Sequence, residues 1–588
     1  MEPRAYYEQR RAVLSASLGE AEQLSGRLSL GRVVTFIGGA AGVCAHLFGP
    51  SPGALAVGVA LLVVFFVLVV WHARVAEREQ QLAAGVLFCT RGLARIGDGE
   101  GLPGRGKREA AAGHPYAADL DLLGEGSVMA RLDAMETALS EQRLTAWLLA
   151  PSSTDEVRER QHAVRELAPL TTLREDLFVH GRAVATGHPN LEAFLAWCQQ
   201  PGSSSDTVLL AVATVLPVAT AVLFFARESA GVPSWAWGAT AAAQWVLSLV
   251  RGGGPDLEVS SQGAEGLGKF RGVLGPLAQT RFESRQLGEA SARLVEARTG
   301  LGQLERLASW AEARHNALFR LLVGPLVLYD VHLGLALGRW RRQHGARVAG
   351  WMEALAETLS LAGLGTYAYD HPEATMPELV EGPARFDAEG LAHVLLAPGK
   401  RVANDVQLAG PGQALLITGS NMAGKSTLLR SMGIAAVLAQ AGAPVEARRL
   451  TMTPLRVRTS IRVSDSLASG YSHFYAELLA LKRVVDEAES GPVLFLLDEI
   501  LHGTNSAERQ AGAKAVVAHL LRRGSLGVVT THDLGLAELV DELPGQVHPV
   551  HLLELQEGDR MTFDYRLRPG LLRSGNALAL MRQLGLPV

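Results

Sequence analysis

The sequence predicts an α/β nucleotide-binding domain of the phosphate-loop type, preceded by a mostly helical chain with four transmembrane helices in two hairpins. Three observations predict it. A glycine-rich loop, GSNMAGKST at 419–427, lies between an apolar strand-like run and a helix-like run. A second apolar run, GPVLFLLDEI at 491–500, ends in two carboxylates. Two pairs of charge-free apolar runs interrupt the N-terminal half.

Length and composition set the bounds. A chain of 588 residues is long enough for several domains and a large core. The formal net charge of -4 carries no global signature of nucleic-acid binding, so any DNA contact must come from a local basic surface. Cys44, Cys89 and Cys198 are isolated, match no metal or disulfide spacing, and fit a reducing compartment. The seventeen histidines include no H-E-x-x-H, so no metal is expected beyond Mg2+ carried with a nucleotide.

Residues 1–32 form a polar N-terminal segment without a cleavable signal pattern. The runs 33–49 and 53–71, split only by the turn-forming PSP, make a first transmembrane hairpin at 33–71. Residues 72–125 read as an amphipathic helix followed by a flexible linker at 97–115. Apolar spacing of three and four makes 126–203 helical, with Ser152 or Ser153 capping a helix whose first turn holds Asp155 and Glu156. The runs 207–226 and 232–250 give the second hairpin, 204–251. Helices resume over 252–390, the longest being LGQLERLASWAEARHNALF, and 391–588 turns to short strands, glycine turns and helices. Trp71, Trp235 and Trp237 stand at span ends, where aromatic belts form. Arginines precede the first span and follow the second, while the loop between them has no charge. The positive-inside rule therefore predicts a multi-pass protein of the cytoplasmic (inner) membrane, embedded in lipid, with its α/β domain in the cytoplasm.

The glycine loop meets G-x-x-x-x-G-K-[ST] through Gly419, Gly424, Lys425 and Ser426. Its backbone N–H groups, from Gly419 through Ser420, Asn421, Met422, Ala423 and Gly424 to Thr427, are expected to face the phosphates of ATP. Lys425 would reach the β- and γ-phosphates, and the Ser426 hydroxyl would hold Mg2+. Asp498 is the expected second Mg2+ ligand and Glu499 the group that polarises the attacking water. His532 ends a third strand, GVVTTHD at 527–533, and is expected at the γ-phosphate.

LLITGSNMAGKSTLLRSMG resembles the phosphate loop of the MutS family of DNA-mismatch-recognition ATPases, T-G-P-N-M-G-G-K-S-T, and the Asn421-Met422 pair is its specific mark. VSDSLASGYSHFYAEL is similar to the family's signature segment, and LDEILHGTNSAE to its D-E-I-G-R-G-T-S-T. TAWLLAPSSTDEVRERQHAVREL at 145–167 resembles the family's core, and YRLRPG with LGLP its tail. The likeness covers roughly 126–200 and 255–588. It implies a MutS/ABC-type ATP hydrolase that works as a homodimer, a core-like region at 126–203 and a core and lever-like region at 252–390. It also implies that Ser472 reaches the partner's γ-phosphate and that Gly503, Thr504 and Asn505 border the opposite site.

The departures are specific. Ser420 replaces a proline, Ala423 a glycine and His502 an arginine; Arg401 stands where many members stack an aromatic ring on adenine, and its guanidinium plane can stack there instead. No mismatch-reading N-terminal domain or phenylalanine-x-glutamate wedge is visible, and the membrane runs stand where DNA-reading parts are expected. Two functions remain open: an ATPase coupled to DNA, mismatched or structured, and a membrane mechanoenzyme or signalling ATPase whose stroke acts on the hairpins. Transport is disfavoured, because the spans hold no charged residue to line a substrate path. The protein partners are not identified by sequence.

Overall fold

The structure, a computed structural model, describes residues 2–49, 51–185, 191–200, 207–251, 270–312, 319, 323–420, 423–461, 473–501, 505–557 and 560–572. The chain divides into two compact units. One comprises Met1–Ala134, Glu141–Thr171 and Leu361–Val588; the other comprises Met135–Ser140 and Thr172–Ser360.

The first unit opens with two long helices, α1 (Pro3–Phe48) and α2 (Pro52–Ile96), of 46 and 45 residues. At 1.5 Å per residue each is roughly 70 Å long, more than twice the roughly 30 Å hydrocarbon thickness of a bilayer. The apolar runs are therefore the distal parts of longer helices, and the polar residues before Arg32 continue the same rod rather than forming a separate segment. Ser51 caps α2, its Oγ accepting from Ala54 N at 3.3 Å, with Pro52 fixing the first helical residue. The helices approach backbone to backbone at Gly42 and Gly58. A Cβ on Gly42 would lie 2.8 Å from Gly58 Cα and 2.9 Å from Ala54 O, so nothing larger fits. The outward face of the rod is apolar and exposed at Val34, Ile37, Val63, Phe66 and Val67. The glycine-rich stretch after α2 is packed in place, with Arg105 paired to Asp133 and backbone bonds exchanged between Arg105 and Gly124. Helix α3 (Thr154–Leu167) starts with a capping box between Ser153 and Glu156.

The second unit is helical among its described residues. Helix α4 (Thr207–Ser229) holds Pro217, and α5 (Ser234–Arg251) follows it; α6 (Arg285–Glu312) and the 42-residue α7 (Tyr329–Asp370), longer than the helix expected from sequence, complete the main elements, the part of α7 from Leu361 onward belonging to the first unit. Pro217 has no N–H to give the carbonyl of Ala213, four residues earlier. His332 Nε2 lies 3.1 Å from that oxygen and satisfies it, beside a small cluster of Ala213, Leu328 and Val331.

Four spans are expected, but among the described residues three helices are long and apolar enough to cross a membrane: Pro3–Phe48, Pro52–Ile96 and Thr207–Arg227. The fourth run forms α5, whose composition falls short: Gln244, Ser234, Ser248 and Arg251 dilute an alanine- and tryptophan-rich helix.

The α/β part of the first unit has two sheets. Strands β1 (Glu378–Leu379), β2 (Phe386–Leu391), β3 (Asn404–Leu408) and β5 (Arg449–Met452) form a four-stranded sheet in the order β1-β5-β2-β3. The larger sheet runs β10-β9-β4-β8-β7-β6, from β4 (Ala414–Thr418), β6 (Arg456–Ser460), β7 (Val493–Asp498), β8 (Leu526–Thr531), β9 (Val547–Glu557) and β10 (Arg560–Pro569). All its pairings are parallel except β9 with β10. ALLIT, VLFLLD and LGVVTT are continuous apolar runs because strands covered on both faces have no polar side to show. Helices α8 (Lys425–Ala441), α9 (His473–Ala488) and α10 (Ser506–Arg522) make the crossovers.

Candidate functional site

Parallel strands end on the same edge, so the residues just beyond β4, β7 and β8 meet. Gly419 follows β4 and Gly424 caps α8 with φ of 94°, the left-handed region that glycine adopts without a steric penalty. A Cβ there would also sit 3.0 Å from the ring of Tyr565. Lys425, first in α8, is 2% exposed and its Nζ donates to Gly419 O at 2.7 Å and to Glu499 Oε1 at 2.7 Å. His532, just past β8, places Nδ1 3.4 Å from Glu499 Oε2. Lysine, glutamate and histidine predicted from three separate motifs therefore converge on one carboxylate.

That carboxylate is held in a strained turn. Glu499 and Leu501 have φ of 47° and 64°, conformations that cost a non-glycine residue on the order of 1–3 kcal/mol each. Two anchors maintain them. Thr530 Oγ1 accepts from Glu499 N at 3.0 Å while donating to Asp498 Oδ1, and Leu501 N donates to the buried carboxylate of Glu477 on α9. Neither anchor was foreseen from sequence. Both lie inside recognised motifs, but nothing in the spelling says which backbone N–H each will meet.

Ser426 is half-buried in the first turn of α8 and Thr427 is exposed beside it; Ala423 is buried, its N–H closing a turn on Ser420 O at 3.2 Å. Asn505 caps α10, its Oδ1 accepting from Glu508 N at 2.9 Å. Asn421, Met422, Ser472, His502, Gly503 and Thr504 lie outside the described residues.

Beside the loop is a cavity of about 610 Å3 bordered by Gly424, Thr427, His393, Lys400, Asn404 and the rings of Phe563 and Tyr565. The aromatic pair, 6.0 Å between centroids, comes from β10; Tyr565 opens the quoted YRLRPG stretch, but neither ring was given a role from the sequence. Asn404 fixes it: its amide donates to Tyr565 O at 3.0 Å and accepts from Leu567 N at 2.7 Å. Burial, with Arg430 adding, pushes the His393 imidazole down to about 4, so it is neutral at pH 7. Arg401 borders the same cavity, yet its guanidinium is engaged on the other side. Nε donates to Leu396 O at 2.6 Å, Nη2 to Val394 O at 3.1 Å, and Nη1 pairs with Glu446 at 2.6 Å. Stacking on a base would have to occur with those bonds kept or exchanged.

Comparison with known proteins locates the likeness here. Residues 415–588 match the MutS domain V family model. A DNA mismatch repair protein MutS from Methanosarcina mazei is 33% identical over 252 residues, 42% of this chain and 27% of that protein. One from Exiguobacterium sp. is 37% identical over 179 residues, covering 30% of this chain and 21% of its own length. One from Oleidesulfovibrio alaskensis is 30% identical over 314 residues, 52% and 32% of the two chains. The chain thus spans about a third or less of the length of these relatives.

Proposed function

We propose that this chain, whose residues 415–588 match the MutS domain V model, is a membrane-anchored P-loop ATPase of the MutS family that binds ATP with Mg2+ and hydrolyses it at composite sites of a homodimer. The observation that carries the reading is the convergence of Lys425, Glu499 and His532 at one edge of the sheet. The donor set suits the expected group. Ser426 hydroxyl and Asp498 carboxylate are hard oxygen donors of the kind Mg2+ takes, and the ion when bound would neutralise phosphate charge. Phosphate entering the loop would draw the Lys425 ammonium away from Gly419 O and Glu499. Glu499 is then the group placed to accept a proton from water, with His532 at its other oxygen. The cavity beside Thr427 has room for the base and ribose, between Lys400 and Tyr565. Ser472 and Asn505 are proposed to act across the dimer.

The three apolar helices support anchoring in the inner membrane, the flanking arginines supporting a cytoplasmic ATPase. DNA is the partner that the relatives' names suggest; the alternative, an ATPase whose stroke is delivered to the hairpins, is favoured by the contacts described in the next subsection. The test is the ATPase rate of the detergent-solubilised chain, alone and with duplex, mismatched or branched DNA. Stimulation that falls steeply with salt supports the DNA reading; hydrolysis indifferent to all three supports the membrane reading. Lys425→Ala is expected to lower hydrolysis by at least about 100-fold, and Glu499→Gln to hold nucleotide without turnover. Normal turnover in both variants removes the site from the chemistry.

A further inference from the structure

Tyr7, Arg95, Asp370, Tyr367, His371 and Glu446 form a buried polar network that the proposed chemistry does not use. Asp370, the last residue of α7, is wholly buried and receives one donor from each long helix. Tyr7 of α1 donates its hydroxyl to Oδ1 at 2.6 Å, and Arg95 of α2 donates Nε to Oδ2 at 2.6 Å. The next residue, His371, faces the other way, with Nδ1 3.1 Å from Glu446 Oε1. Tyr367, one turn earlier, donates to the same oxygen at 3.2 Å. Glu446 completes the path through Oε2, 2.6 Å from Arg401 on the wall of the cavity.

A second strut runs alongside. Arg131 donates to Arg95 O at 2.7 Å, Gly97 O at 3.0 Å and Asp98 O at 2.6 Å, closing off the C-terminal carbonyls of α2. It also reaches Leu395 O, next to the carbonyls that hold Arg401. Two paths of hydrogen bonds therefore join the base of the α1–α2 hairpin to the cavity wall.

Buried ion pairs are poor devices for stability, because desolvation offsets most of their attraction; what they supply is a defined arrangement. Here two nitrogens remain unspent. Arg95 Nη2 and His371 Nε2 are buried without a partner, which gives the network capacity for a second set of bonds. We propose that this network conveys the occupancy of the cavity to the α1–α2 hairpin, Arg401 being the group that senses the ligand and Asp370 the clamp on both helices. The inference rests on the nucleotide reading of the cavity. A ligand that moves Arg401 alters what Glu446, His371 and Asp370 can bond, and the hairpin base must follow. By linkage, the surroundings of the hairpin must change nucleotide affinity in return.

Cys44 offers the probe. It is exposed near the far end of α1, whereas Cys89 and Cys198 are buried, so a thiol-reactive environment-sensitive fluorophore reports on the hairpin. The experiment uses the full chain in detergent and in phospholipid vesicles, with a fluorescent ATP analogue for binding and the Cys44 label for the response. Wild type is expected to bind the analogue, to shift the label on binding, and to differ in affinity between detergent and vesicles by about 5-fold or more. Tyr7→Phe removes a single hydroxyl, and Asp370→Asn removes the clamp's charge. Both are expected to bind the analogue with the label's response and the affinity difference reduced. Tyr7→Phe is the variant with the least risk to folding. A Cys44 response unchanged in Tyr7→Phe, or no response in wild type that binds nucleotide, overturns the coupling alone. Failure of wild type to bind the analogue overturns the nucleotide reading and the coupling with it.

Discussion

The two apolar hairpins look alike in sequence and differ in kind. In α1–α2 the apolar run is embedded in rods of 46 and 45 residues, packed at Gly42 and Gly58, with valines and phenylalanines facing outward. In α4–α5 the helices have 23 and 18 residues; α4 contains Pro217, and α5 carries Gln244 wholly buried with neither amide atom partnered. Leaving an amide buried and unbonded costs on the order of 1–3 kcal/mol, so such a residue is not placed casually. The lesson is that charge-free length does not define a membrane span. What matters is whether apolar side chains dominate the helix throughout, and whether its polar atoms are answered.

A charge placed mid-helix gives the largest expected effect and separates the two pairs. Val64→Arg, exposed on the apolar face of α2, is expected to raise the free energy of membrane insertion by about 2.5–3.5 kcal/mol. Trp245→Arg in α5, a helix below spanning composition, is expected to change insertion far less. Glycosylation mapping of each segment reads both. Equal penalties would reinstate the fourth span and end the distinction.

Next in size is the seam. Gly42→Leu drives a side chain into Gly58 Cα and Ala54 O, which are backbone and cannot rotate away. Overpacking of this kind costs about 2 kcal/mol, with the helix ends splaying. Lowered melting temperature of the solubilised chain and faster proteolysis at residues 49–51 are the expected readouts. A chain unaffected by the substitution would show that α1 and α2 do not pack as described.

How much of this was legible in the sequence follows the range of the interactions. Loop, strands and acidic pair were readable because phosphate-loop chemistry needs Gly419, Gly424 and Lys425 at fixed spacing, and because Asp498 closes a strand that must be apolar on both faces. The cap was readable to within one residue, Ser152 or Ser153, and the structure selects Ser153, whose partner Glu156 is three residues away. Long-range partners were not readable. Tyr7 meets Asp370 across 363 residues, and Arg401 meets Glu446, contacts that no spacing rule announces. The fourth span was overread because absence of charge was taken as enough, whereas alanines, tryptophans and Gln244 leave α5 less apolar than the valine- and leucine-rich α4.

The smallest expected effect concerns α4 alone. Pro217 leaves Ala213 O without its helical donor, and His332 supplies one at 3.1 Å. His332→Ala should therefore cost about 1 kcal/mol, the usual net worth of one hydrogen bond, through an unanswered carbonyl in an apolar setting. In a Pro217→Ala background the residue at 217 regains its N–H and bonds Ala213 O within the helix, so the imidazole becomes redundant. The double-mutant cycle should then show coupling close to the whole effect of His332→Ala. Additive losses would mean that His332 acts by packing against Leu328 and Val331 rather than by answering the proline, and that the resemblance between α4 and an ordinary span is closer than the structure implies.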